Sequence, residues 1–217
     1  MKKGAEKITG VEAIMHTPFK ENYDLDLDGA KTIVRHIIDG GVIEGSGCIL
    51  IGGAVGEAQH MNPLERKELL KACCEVANKE TPTIFNCAHT DVRIVIELAK
   101  SAYENGATFI QIAPPYYMPL SDKEIIDFYK FVSDEVPIGI MAYANYWASQ
   151  VYFDNIWDDL IAIENIISIK WAHPDMTEFI KGLVNYSDTL SFMDNMGTAG
   201  PWPFMLGMNG FVSQIGV

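Results

Sequence analysis

The chain has 217 residues, 48% of them hydrophobic and 21% charged, which supplies a full core and is too apolar for a disordered segment. Lys and Arg number 16 against 29 Asp and Glu, a formal net charge of -13, so the long-range field repels phosphate backbones and anionic lipid; neither nucleic acid nor a membrane is expected as a partner. No stretch is apolar for long enough to span a bilayer, and Met1 to Lys7 leads into polar residues instead of the apolar run of a secretory signal. The cysteines Cys48, Cys73, Cys74 and Cys87 show neither a CxxC pair nor a framework spacing, which predicts reduced thiols and a cytoplasmic protein, with Cys73 and Cys74 as core positions on a helix.

In chain order, Gly10 to Met15 reads as a strand, and Ala30, Ile33, Val34, Ile37 and Ile38 then recur on one helical face that ends at Asp39-Gly40-Gly41. Cys48 to Ile51 is the second strand; Asn62, Pro63 and Glu65 sign the start of the next helix. Thr83 to Asn86 is a third strand, followed by a helix carrying Ile94, Val95, Leu98, Ala99 and Ala102 that stops at Asn105-Gly106. Phe109 to Ile112 is the fourth. Ser121 and Glu124 form a capping box for the helix of Ile125, Phe128 and Val132, which leads to a fifth strand over Ile138 to Tyr143. Asp154 is expected to cap a helix through Ile161, Ile166 to Lys170 is the sixth strand, Asp175 and Glu178 open the helix of Phe179, Ile180 and Leu183, and Leu190 to Met193 is the seventh. After a proline-rich helical stretch, Phe211 to Ile215 is the eighth.

Strands apolar on both faces, alternating with amphipathic helices, predict a parallel sheet covered by helices. Eight in one series predict a closed (β/α)8 TIM barrel rather than an open doubly wound sheet, and no GxGxxG follows the first strand. Residues 1–217 are therefore expected to form a single barrel domain. Val217 follows directly on the eighth strand, so the barrel is expected to be truncated there, without its final helix.

Barrels of this kind carry their chemistry at the C-terminal ends of the strands. Lys170 ends an apolar strand, where desolvation favours the neutral, nucleophilic amine needed to attack a ketone and form a Schiff base; the alternative is a lysine whose head snorkels to solvent. Tyr143 is a candidate proton shuttle beside it. Gly53, Ala54, Val55 and Gly56, after the second strand, form a turn whose amides can converge on a carboxylate, with Glu57 as a buttress of that loop; Asn145 stands at the end of the fifth strand as a further substrate-binding candidate. The rival constellation is a divalent metal held by His16, His89, His173 and Asp194 for hydrolysis, but no HxH or HxxxH pair supports it. His36 and His60 are expected on the surface.

Thr17-Pro18-Phe19, the Gly-Ala-Val-Gly-Glu segment Gly53 to Glu57, Pro115-Tyr116-Tyr117 and Ile167 to Lys170 together resemble the dihydrodipicolinate synthase and N-acetylneuraminate lyase family of class I aldolases over nearly the whole chain. The resemblance implies a (β/α)8 barrel in which Lys170 is the Schiff-base lysine, Tyr143 the proton-shuttling tyrosine with Tyr146 as the fallback, and Tyr117 the tyrosine that reaches a neighbouring subunit's site. It implies a lyase acting on pyruvate or another 2-oxo acid and an aldehyde, with no metal or organic cofactor, working as a homo-oligomer. Two departures qualify the likeness. Ala54 and Val55 replace the family's paired hydroxyl residues, which also motivates the alternative of a catalytically impaired member serving as a ligand-binding or assembly protein. Trp147 and its neighbours replace the segment whose arginine steers the synthase's second substrate, and together with Tyr143-Ala144-Asn145 they look more like the hydratase-aldolase branch. Members of the family also continue into a C-terminal helical region that this chain lacks.

Overall fold

In the computed structural model, residues 2–144, 146–197 and 201–213 are described. The strands and helices alternate as β1 (Gly10–Ile14), α1 (Leu27–Asp39), β2 (Gly47–Ile51), α2 (Pro63–Ala77), β3 (Thr83–Asn86), α3 (Val92–Glu104), β4 (Phe109–Ile112) and α4 (Asp122–Glu135). The second half runs β5 (Gly139–Tyr143), α5 (Trp157–Ala162), β6 (Ile166–Trp171), α6 (Met176–Tyr186), β7 (Ser191–Asp194), α7 (Trp202–Met205) and β8 (Gly210–Ser213). Every strand pairs in parallel with its sequence neighbours, and β8 closes on β1 with Gly10 opposite Gly210 and Ala13 opposite Ser213, so the sheet is a closed barrel. The sequence-predicted (β/α)8 TIM barrel is the observed architecture. No helix of the described residues is long and apolar enough to cross a membrane.

Side chains alternate in and out along the strands, with a register shift in β6 beside Ile167, so closure gives the barrel two apolar layers. One set, including Ile14, Leu50, Ile84, Phe109, Met141 and Met193, fills the barrel interior; the other, including Ile49, Phe85, Ile110 and Ile169, packs beneath the helices. Tight passages select glycine: Gly10 has φ +74°, and a Cβ there would stand 1.9 Å from the Ser46 carbonyl oxygen. On the outer face an aromatic cluster of Phe153, Trp157, Trp171 and Phe179 ties α5 and α6 to the sheet.

Three helix starts predicted from side-chain capping are present as read: Asn62 with Glu65 and Ser121 with Glu124 form complete capping boxes, and the Asp175 carboxylate accepts from the Thr177 amide. Asp154 does not cap α5, whose flanking residue is Ile156 with no side-chain cap; Asp154 Oδ2 instead lies 3.3 Å from His173 Nε2, a partner 19 positions away that no local pattern signals. The seventh strand lies one residue later than predicted, over Ser191–Asp194, because its register is fixed by pairing with β6, where Ser168 faces Ser191 and Trp171 faces Asp194. The predicted end of the eighth strand, Gln214 and Ile215, lies outside the described residues.

Asn62 Oδ1 accepts from the Leu64 and Glu65 amides at 2.9 and 3.1 Å, fixing where α2 begins. Asn62→Ala should cost about 1 kcal/mol of stability, read as a lower urea midpoint at unchanged slope in chemical denaturation.

Candidate active site

Alternation along β6 sends Ile169 and Trp171 outward to the helices and Lys170 into the barrel. Its side chain is 3% exposed. The buried neighbours expected around it include a charged one, Glu12 of β1: Lys170 Nζ donates to Glu12 Oε1 at 2.5 Å, and the Glu12 side chain is completely buried. Among the described residues, the second carboxylate oxygen of Glu12 has no hydrogen-bond partner. Cys48 of β2, opposite Glu12 in the β1–β2 register, shares this interior space; burial pushes its thiol well above the ordinary value, Glu12 pushes the same way and Lys170 opposes. The sequence reading missed Glu12. Its signal was available, since Glu12 is a charge inside an apolar strand at the same parity as the inward Ile14.

Tyr143 stands beside Lys170, its residue partner in the β5–β6 register. The lysine Nζ lies over the face of the phenol ring, 5.2 Å from its centroid. The hydroxyl accepts a hydrogen bond from Asn195 Nδ2 at 3.2 Å. Burial pushes the phenol up to about 12, with the Asn195 bond pulling it down and Glu12 pushing it up. Trp147 meets Tyr143 edge-on at 6.1 Å between centroids, and Tyr146 packs against Trp147 at 4.8 Å. Asn145, between them, lies outside the described residues.

The Gly53–Gly56 turn is drawn onto the barrel mouth by Thr17, whose hydroxyl donates to the Gly56 carbonyl at 2.6 Å. A Cβ on Gly56 would stand 2.8 Å from the Met15 carbonyl oxygen, so only glycine fits. No described residue accepts from the amides of Ala54, Val55 or Gly56. Val55 packs on the interior core and Ala54 lines the mouth cavity. Glu57 is exposed in the left-handed region at φ 58°.

That cavity, about 250 Å³, is walled by Ala54, Arg66, Asn86, Gln111, Tyr116 and Tyr143 among others, and Lys170 is not part of its lining. Arg66, Asn86 and Gln111 were not singled out from sequence. Arg66 reaches from the first turns of α2 to donate to the carbonyls of Asn86 and Ala88 at the end of β3. Burial pulls its guanidinium down, opposed by Cys87 and Tyr116. Asn86 Nδ2 donates to the Gly52 carbonyl at 2.8 Å, tying β3 to the start of the glycine turn. Tyr117 is outside the cavity, 92% exposed at φ 96°.

The histidines of the rival metal reading are dispersed. His16 is exposed, while His89 Nδ1 and His173 Nδ1 accept from the amides of Asp91 and Asp175. Among the described residues no three His, Cys, Asp or Glu side chains converge as a metal site. His36 and His60 are exposed, as expected.

A closed parallel barrel with a buried strand-borne lysine beside a phenol, under a mouth cavity, defines a (β/α)8 barrel of the lysine-bearing kind. The chain belongs to the dihydrodipicolinate synthetase family, whose model matches residues 7–215. It is 27% identical over 174 residues to 4-hydroxy-tetrahydrodipicolinate synthase of Thermotoga petrophila, covering 78% of this chain and 56% of that protein. It is 30% identical over 167 residues to the protein of that name from Clostridium perfringens, covering 76% and 55%. This chain thus spans little more than half the length of these relatives. N-acetylneuraminate lyase from Mycoplasma synoviae superposes with a TM-score of 0.82 at 25% identity, covering 95% of this chain and 68% of that one.

The raised Tyr143 phenol makes a titration prediction. In the folded chain it stays protonated past the usual tyrosine value of about 10 and ionises only near about 12. The stability it contributes is therefore complete below the unfolded value and lost as pH rises between the two. A wild-type minus Tyr143→Phe ultraviolet titration should show a phenol with midpoint about 12, and a midpoint at the ordinary value would contradict the burial.

Proposed function

We propose that the chain acts as a Schiff-base lyase on pyruvate or another 2-oxo acid, making or breaking a carbon–carbon bond to an aldehyde. Lys170 bonds covalently to the ketone carbon, and the iminium withdraws electrons from the adjacent bond. Tyr143 moves protons at the reacting centre. The Gly53–Gly56 turn offers the amides of Ala54, Val55 and Gly56 to the substrate carboxylate, a role in which backbone donors replace the hydroxyls that Ala54 and Val55 lack. The observation that carries this reading is Lys170, fully buried on the inward face of β6 against the Tyr143 ring, in a chain of this family.

Trp147, exposed and edge-on to Tyr143, is proposed to give an aromatic aldehyde a stacking surface next to the site, in keeping with a hydratase-aldolase type of reaction. Asn145 is proposed as a polar contact there. Tyr117, whose side chain stands free of its own barrel, is proposed to reach the site of a neighbouring copy, which makes the working form a homo-oligomer. Four free cysteines suit a reducing, cytoplasmic setting.

Incubation with pyruvate and borohydride should add one reduced pyruvate to the peptide containing Lys170 and none to Lys170→Ala. Labelling elsewhere, or none in the wild type, overturns the reading. Tyr143→Phe should lower kcat on the accepted 2-oxo acid by about 10²-fold with little change in KM, as expected when a proton donor of the transition state is removed.

A further inference from the structure

The Glu12–Lys170 pair is unexplained by stability. Burying two charges costs several kcal/mol for each, and apolar residues of similar volume commonly stabilise as much or more. Here one carboxylate oxygen is also left without a partner among the described residues, a further penalty. The position is interior, shared with Ile14, Cys48, Leu50 and Met141, where an apolar side chain is the natural filling. A charge kept in such a place, in contact with the one amine on which the proposed chemistry turns, has a chemical use.

We propose that Glu12 is a catalytic residue, the proton acceptor and donor for Schiff-base formation at Lys170; this rests on the lyase reading above. The carboxylate takes a proton from the Lys170 ammonium, leaving the amine neutral and Glu12 as the acid. The nitrogen lone pair attacks the ketone carbon and the carbonyl π pair moves to oxygen. With proton transfer from nitrogen to that oxygen, this gives a neutral carbinolamine. Glu12 then protonates the carbinolamine hydroxyl, the carbon–oxygen bond breaks, and water leaves as the nitrogen lone pair forms the iminium. The sum is ammonium plus ketone giving iminium plus water, with Glu12 returned to carboxylate.

The charge count explains why a carboxylate suits the place. The pair begins as cation and anion and ends as iminium and anion, so no new net charge is created in the dry interior. The geometry also separates this role from that of Tyr143. Glu12 Oε1 touches the reacting nitrogen, whereas Tyr143 presents its ring face to it and ties its hydroxyl to Asn195. Lys170 of β6, Cys48 of β2 and Tyr143 of β5 all face Glu12.

The test is the single-turnover rate of pyruvate imine formation, followed by borohydride quench across pH. Glu12→Gln keeps the shape and removes the proton carrier; it should slow trapping by about 10²-fold or more and change the pH profile of the rate, while the label still falls on Lys170. Trapping at the wild-type rate with an unchanged profile overturns the proposal and leaves the lyase reading intact. Absence of any label in the wild type sinks the lyase reading itself, which is a distinct result. Should Glu12→Gln fail to fold, Glu12→Asp provides the second measurement. Its carboxylate, one methylene short of the amine, should slow trapping while keeping the wild-type pH profile, and an undiminished rate would again overturn the proposal.

Discussion

A single ion pair inside the barrel organises this molecule. Lys170 and Glu12 lie 158 positions apart in sequence, on β6 and β1, and meet at 2.5 Å only because the eight strands close on one another. Two unlike charges withdrawn from water are tolerable when they satisfy each other in good geometry, and removing either would leave the other as an uncompensated buried charge. The barrel therefore holds this nitrogen paired and out of contact with water.

Around the pair the interior is built in tiers. Below it, Phe109, Ile84, Ile167 and their neighbours fill the barrel with apolar side chains. Beside it, Tyr143 lies against the amine and also lines the mouth cavity, and the glycine turn, pulled in by Thr17 and linked to β3 through Asn86, contributes Ala54 to the same lining. The polar groups of the mouth, Arg66, Asn86 and Gln111, come from α2, β3 and β4. Arg66 supports the β3 end by donating to its carbonyls, so the same guanidinium that shapes the cavity also terminates a strand. Stability and site share residues here, as expected where a barrel's C-terminal face bears the chemistry and its layers bear the load.

Much of this was legible residue by residue. Asn62 with Glu65 and Ser121 with Glu124 announce helix starts because the capping side chain and the amide it serves lie within four positions. The burial of Lys170 was readable from its place at the end of the apolar run Ile166 to Ile169, although a register shift beside Ile167 breaks the simple alternation there. Where the reading failed, the deciding partner lay far away. Asp154 looked like a cap and instead lies against His173; the seventh strand moved by one residue to satisfy pairing with β6. Glu12 was passed over inside an apolar run, although its parity with Ile14 pointed inward.

The order of strands and helices, their capping, the glycine turn and the lysine at the end of the sixth strand are properties of the sequence itself, because period and local hydrogen bonding act over a few residues. Which side chains face one another across the barrel was decided by closure alone. The carboxylate beside the amine, the phenol ring laid against it and the arginine at the cavity wall depend on strand register and on the exclusion of water, and both arise only when distant segments pack together.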